Sequence, residues 1–361
     1  MGRPIPSGGL PNGVPLSQRA LVIAGVLAAV AGVLLLVWFA HRALLLAFAG
    51  VLVAVLLSTP AALLHQRARL PYRVALFLVL VLLGGTIAVA VSLRGPAVVT
   101  EVDALRDSLP RALDALRDRV AQYPWGPRLL DGVPTMAEVV GDQQALAGRA
   151  RDFAARLLAL LSTGLIILFT GLFLAVEPGL YVRGVVRLVP PRHRERARVV
   201  MDEVGRALRW WLLAKVVSMF VIGVGTGVGL YLLGVPLVFS LGLIAALLTF
   251  VPNIGPIVSA VPAVLLALVQ GPRLAFWVVL LYLGVQVVES YLITPYLERR
   301  TVSLPPALTL TVQVLLGAAA GVLGIALAAP LTAVGLVLVR MLYVEDVLGD
   351  RTLTGSEQNP G

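Results

Sequence analysis

The chain has 361 residues, 59% hydrophobic and 13% charged, with a formal net charge of +10 and a mean hydropathy of +0.94. Its apolar residues fall in runs of about twenty, enough to cross ~30 Å of hydrocarbon, which excludes an ordinary soluble domain and indicates a polytopic membrane protein. Cysteine is absent and the three histidines (His41, His65, His193) are scattered, so disulfides and thiolate chemistry are excluded and no metal or cofactor is expected.

Residues 1–20 include the Gly/Pro-rich "PIPSGGLPNGVPLS" and read as a disordered N-terminus on the cytoplasmic side. Hydropathy then predicts six regular spans, at 21–40, 43–64, 74–93, 157–176, 211–233 and 275–295. The first is too long for a signal-peptide core and is followed by others, so it reads as a retained span. The first three spans occupy 21–93.

The intervening loops differ in charge. Segment 94–156 holds nine arginines against nine acids, whereas 177–210 holds eight arginines against four. Arg67, Arg69 and Arg73 follow the second span without an acid among them. The positive-inside rule therefore puts the N-terminus, 65–73 and 177–210 in the cytoplasm and 94–156 outside. Nearly all this basic charge is explained by orientation, and nucleic acid is not an expected partner. Within 94–156, apolar residues recur every three or four positions from Val98 to Val120, the period of an amphipathic helix, so a small helical extracytoplasmic segment is expected. In 177–210, Val200, Val204, Leu208 and Trp211 mark one face of a basic helix, predicted as an interfacial elbow before the fifth span.

Regularity fails in the C-terminal core, 211–340. Residues 238–251 and 257–270 are apolar but too short to span singly, and "VPNIGP" with Pro252, Asn253, Gly255 and Pro256 lies between them. A second pair, 307–316 and 322–339, is separated by "GAAAG" and interrupted by Pro330. Gly- and Pro-broken half-length segments predict discontinuous helices, which in transporters tend to lie at the substrate site. If 238–270 is a re-entrant hairpin, Arg299 and Arg300 fall inside, as does the acidic stretch of the 341–361 tail. The expected fold is thus all-α, with six regular spans and two broken or re-entrant helical pairs.

Two ionisable residues stand within predicted spans, Lys215 and Glu289, where an unpaired charge costs ~2.5–3.5 kcal/mol. Lys215 either snorkels to the interface or faces the core. Glu289 shares a helix face with Gln286 and Tyr282, a polar stripe that serves either an interhelical hydrogen bond or a solute or proton path. Asn253 either repairs the broken backbone around it or binds a polar solute. No GxSxG, Walker A or HExxH motif occurs, and no enzymatic activity is expected.

"FVPNIGPIVSAVP" followed by "VESYLITPYLERRTVSLPPALTLTVQVLLGAAAGVLGIALAAPLTA" resembles the bacterial autoinducer-2 exporter family. The resemblance rests on Pro252, Gly255, Pro256, Glu289, Pro295, Gly317, Gly321, Gly324, Pro330 and Leu331, and with the order of spans it covers roughly 20–345. One departure is "LLAKVVS", where Ala214 and Lys215 stand in place of the family's frequent Gly-Gln. The resemblance implies a secondary transporter or exporter of a small hydrophilic solute in the inner membrane, acting as a homo-oligomer in the lipid bilayer. Sodium/proton antiport is an alternative, with the cation as cargo; a non-transporting scaffold or envelope regulator is another.

Overall fold

A computed structural model describes residues 16–121, 143–293 and 304–350. Of the N-terminus expected to be disordered, 1–20, residues 16–20 are instead helical, while 1–15, Pro295, Arg299, Arg300 and the tail from 351 onward lie outside these residues. Among the described residues the chain is helical, without strands, and six helices are long and apolar enough to cross a membrane. Residues 1–45 form one compact unit and 46–361 another, and the hydrophobic clusters lie in the second.

Several predicted boundaries are absent. The spans at 21–40 and 43–64 fall in one helix, α1 (Leu16–Ala68). His41 and Arg42 suit a helix, and no glycine or proline lies between Gly32 and Gly50 to end it. The third span and the amphipathic stretch after it are likewise one helix, α2 (Tyr72–Ala121). The later part of the polar segment joins the fourth span in α3 (Gln143–Val176). The described parts of 94–156 are therefore extensions of other helices rather than a separate cap.

Pro178 opens a short helix, α4 (Pro178–Leu188), and Pro190 and Pro191 end it. The basic stretch then runs unbroken into the fifth span as α5 (Arg194–Leu232). Only Gly205 precedes Gly223 there, so the expected elbow has no hinge. At the start of α5, Arg196 donates to Glu345 at 2.8 Å, to Asp346 at 3.0 Å and to the Met341 carbonyl at 2.9 Å. Val200 and Ala207 pack on Val337 and Met341 beside it. The arginine thus ties the beginning of α5 to the acidic C-terminal stretch.

Both broken pairs are hairpins. The first comprises α6 (Val238–Leu248) and α7 (Ile254–Gln270). Eleven residues make α6 only ~16 Å long, short of a bilayer crossing. Leu241 near its start packs with Ala263, Leu266 and Ala267 near the end of α7, so the legs run antiparallel. A Cβ added to buried Gly255 would run into the Leu248 carbonyl, which makes glycine necessary at this tip.

After α8 (Pro272–Val288) and a π-helical stretch, Glu289–Ile293, the second hairpin is α9 (Pro306–Leu338), bent at Gly321 with φ 61° and ψ −140°. A Cβ at Gly324 would meet the Leu316 carbonyl, and one at Gly317 would lie 2.8 Å from the Ile325 side chain. Residues eight apart on a straight helix are ~12 Å apart along its axis, so the chain has folded back on itself. Pro330 is buried on the second leg.

Small residues let the first hairpin approach α5. A Cβ on Gly242 would lie 3.0 Å from the Gly223 carbonyl oxygen and 3.3 Å from the Gly227 Cα. Close backbone crossings through glycine are a common mode of association in membranes, where lipid gives no hydrophobic drive between helices.

Candidate functional site

The tip of the first hairpin exposes backbone groups that a continuous helix would have paired. Thr249 caps locally, donating its hydroxyl to the Ala245 carbonyl at 2.6 Å. The Pro252 carbonyl is met from the other hairpin by buried Gln313, whose side-chain amide donates to it at 3.1 Å. Asn253 makes no capping bond of its own; it adopts φ 66° and ψ −48°, a conformation rare outside glycine. Its side chain is exposed, and among the described residues its amide has no hydrogen-bond partner. Backbone repair at this break is therefore shared by Gln313 and the Ile254 N–H, which reaches the same carbonyl at 2.7 Å.

Beside the tip lies a cavity of about 350 Å³. Its wall takes Lys215 and Ser218 from α5, Pro252, Asn253 and Pro256 from the first hairpin, and Gln286, Glu289 and Ser290 from the end of α8 onward. Thr309 and Ala329 close it from the two legs of α9, and Trp211 adds an aromatic surface held edge-on by Phe250 at 5.9 Å between centroids. The volume is near the lower end of small-molecule pockets, ~300–1,000 Å³.

The polar stripe on α8 turns inward as its spacing predicts. Tyr282, Gln286 and Glu289 are half-buried, while Leu283, Val287 and Val288 are exposed. Tyr282 donates to the Ser259 carbonyl at 3.3 Å, tying α8 to α7. Gln286 donates to Glu289 Oε2 at 3.1 Å, and the Ser290 hydroxyl donates to the same oxygen at 3.4 Å. Glu289 opens the π-helical stretch, and such bulges recur at functional sites because they redirect side chains.

Lys215 faces the same cavity and lies within the field of Glu289, yet no ion pair within 4.0 Å joins them. Opposite charges held apart in a partly polar cavity inside a membrane-spanning core can bind polar or charged groups, whereas a closed pair would only satisfy itself.

Of the residues singled out by sequence, Lys215, Pro252, Asn253, Pro256, Gln286 and Glu289 line one cavity. Gly255 lies behind it in the hairpin tip, and Gly317, Gly321 and Gly324 form the turn of the second hairpin. Two polar residues escaped the sequence reading. Gln313 is the one amide in the long apolar stretch 306–338, a signal as strong as that of Glu289. Glu101 sits among many charges, which hid it; its Oε2 accepts the Ser240 backbone N–H at 2.9 Å, at the start of α6.

Comparison with known proteins places this geometry in context. Residues 27–343 match the family model described as AI-2E family transporter. The candidate transport protein MT0215 of Mycobacterium tuberculosis is 30% identical over 300 residues, 79% of this chain and 78% of its own length. The candidate transport protein YueF of Bacillus subtilis is 20% identical over 280 residues, covering 74% of this chain and 75% of its own. YrrI of the same organism, similarly named, is 28% identical over 147 residues, 41% of this chain and less than half, 42%, of the relative.

Proposed function

Because the chain belongs to the AI-2E transporter family, we propose that it is a secondary transporter that exports a small hydrophilic solute across the bacterial inner membrane. An autoinducer-2-like molecule is the family's namesake solute and not by that name this chain's cargo. The observation that carries the reading is the cavity shared by the broken hairpin tip and the polar end of α8. Broken helices are tolerated at membrane depth where they line a water-filled path or are buried in protein. Asn253, Gln286, Glu289 and Lys215 line the solute path, with Glu289 as the coupling or gating group. The arginine distribution supports an N-terminus in the cytoplasm. A homo-oligomer is part of the same reading, checked by the mass of the solubilised particle.

Cation/proton antiport is the second reading, favoured by Lys215 and Glu289, which form no ion pair among the described residues. Purified chain in liposomes separates the two. Counterflow of a labelled polar solute without collapse of a sodium or pH gradient supports export, and gradient collapse by sodium alone supports antiport. A chain that moves neither solute nor ion overturns both, leaving a scaffold role.

A further inference from the structure

We propose that the cavity is a binding site for a small zwitterion, a solute carrying an ammonium and a carboxylate group a few ångströms apart. The proposal rests on the transport reading for the cavity's role and goes beyond it in naming the chemical class of the cargo.

Each of the two side chains leaves hydrogen-bonding capacity open. Glu289 Oε2 is occupied by Gln286 and Ser290, but among the described residues Oε1 has no hydrogen-bond partner. Lys215 carries three N–H donors and likewise has no hydrogen bond or ion pair among the described residues. Both side chains line the same cavity, farther apart than a 4.0 Å ion pair. The Lys215 amine and the Glu289 carboxyl therefore face the cargo space from separate points on its wall.

Cargo class follows from which charge each solute leaves bare. A simple cation satisfies Glu289 and brings a like charge near Lys215. A simple anion does the reverse. A neutral polyol offers hydrogen bonds but leaves both charges without a counter-charge. Only a solute with both signs places an ammonium on Glu289 and a carboxylate on Lys215 at once, keeping the occupied site net neutral, and desolvated charges need such compensation.

The rest of the wall suits a small remainder on that solute. The Thr249 and Thr309 hydroxyls already donate to the Ala245 and Pro305 carbonyls, so they offer a solute only acceptor lone pairs. Ile222, Leu304 and Trp211 are apolar surfaces, while Asn253 offers a free amide. About 350 Å³ admits an amino acid or betaine and excludes a lipid or folded peptide.

Calorimetric titration of the purified full chain tests this, with glycine, L-alanine, L-serine and glycine betaine as zwitterions. Ethanolamine and choline serve as matched cations, acetate and lactate as anions, glycerol as the neutral probe and sodium as the ion. At least one zwitterion is expected to bind about tenfold or more tighter than its matched cation and anion. Lys215→Gln should erase its advantage over the cation, and Glu289→Gln its advantage over the anion. Lys215→Arg, which keeps the charge, should retain the preference and guards against a folding defect.

Equal or tighter binding of a cation, sodium, an anion or glycerol overturns the proposal, as does the failure of all four zwitterions to bind. Persistence of the preference in both neutral variants overturns it too. Flux of a non-zwitterionic solute in liposomes would then leave the transporter reading standing without this one. Zwitterion binding without flux of any solute or ion would instead sink the transporter reading and keep the site.

Discussion

Gln313 donates its side-chain amide to the Pro252 carbonyl at 3.1 Å, joining the two hairpins across 61 residues of sequence. Gln313 is 2% exposed, so its side of this bond is shielded from water. Replacing the amide by a similar volume, Gln313→Leu, removes one of two bonds to this carbonyl, the Ile254 N–H at 2.7 Å remaining, and should cost about 0.5–1.5 kcal/mol. Thermal unfolding of the purified variant should show a lowered midpoint and transport should fall. An unchanged midpoint would mean that the Ile254 N–H alone satisfies the Pro252 carbonyl.

Gly255 and Gly324 occupy equivalent places in the two hairpins, each against the carbonyl of the opposite leg, Leu248 and Leu316. Neither obstacle is a flexible side chain that can move aside. Gly255→Ala and Gly324→Ala should therefore open their hairpins, at or beyond the ~1–3 kcal/mol typical of overpacking. Gly284 is the matched control on α8, since a Cβ there would meet nothing within 4 Å, and alanine should be neutral or stabilising by up to ~1 kcal/mol. Yield of monodisperse protein reads the contrast, and equal yields for all three would refute it.

Helix content, the positions of the two breaks and the inward face of Tyr282, Gln286 and Glu289 were legible because each has a local cause: hydropathy, Gly and Pro, or a period of 3.6. Helix continuity was less so. Loops were inferred where charge appeared, but charge alone does not end a helix, as His41, Arg42 and the arginines of 194–209 show. Long-range partnerships had no local signal. Nothing near Pro252 announces that its carbonyl is paired by Gln313, and nothing near Glu101 points to Ser240. Asn253, by contrast, was correctly placed at the break but not needed to repair it.

Glu101 reaches from α2 to the start of α6, its Oε2 accepting the Ser240 N–H at 2.9 Å. A helix's first N–H groups lack intrahelical partners and carry partial positive charge, so a carboxylate there both caps and neutralises. Glu101→Ala should destabilise the start of α6 by about 0.5–2 kcal/mol, and Glu101→Gln by less, since its amide oxygen still accepts. Hydrogen exchange of a peptide covering 238–244 should rise in that order. Exchange in Glu101→Gln identical to that of the parent chain would show that the charge contributes nothing.

Arg196 serves two acids and a carbonyl at once, and its side chain is 32% exposed. Partial exposure weakens each pair by solvent screening, so Arg196→Ala should cost about 1–2 kcal/mol rather than the larger value of a buried network. Lysine cannot reproduce the forked geometry and should recover only part of the loss. The thermal midpoint in detergent measures both variants at low and high salt, and the difference from the parent chain should shrink as salt rises.

Asn253 separates two demands that one residue meets, an unusual backbone and a free amide on the cavity wall. Its φ of 66° with ψ of −48° is costly for most residues but open to glycine. Asn253→Gly should therefore keep or raise thermal stability while deleting the amide, whereas Asn253→Ala should lower stability through strain as well. If the amide contacts cargo, the glycine variant folds normally and loses solute flux in liposomes by about tenfold, one hydrogen bond's worth of affinity in a desolvated site. Full flux with intact stability would instead assign Asn253 to the backbone turn alone, leaving Gln286, Glu289 and Lys215 as the polar groups that meet the solute.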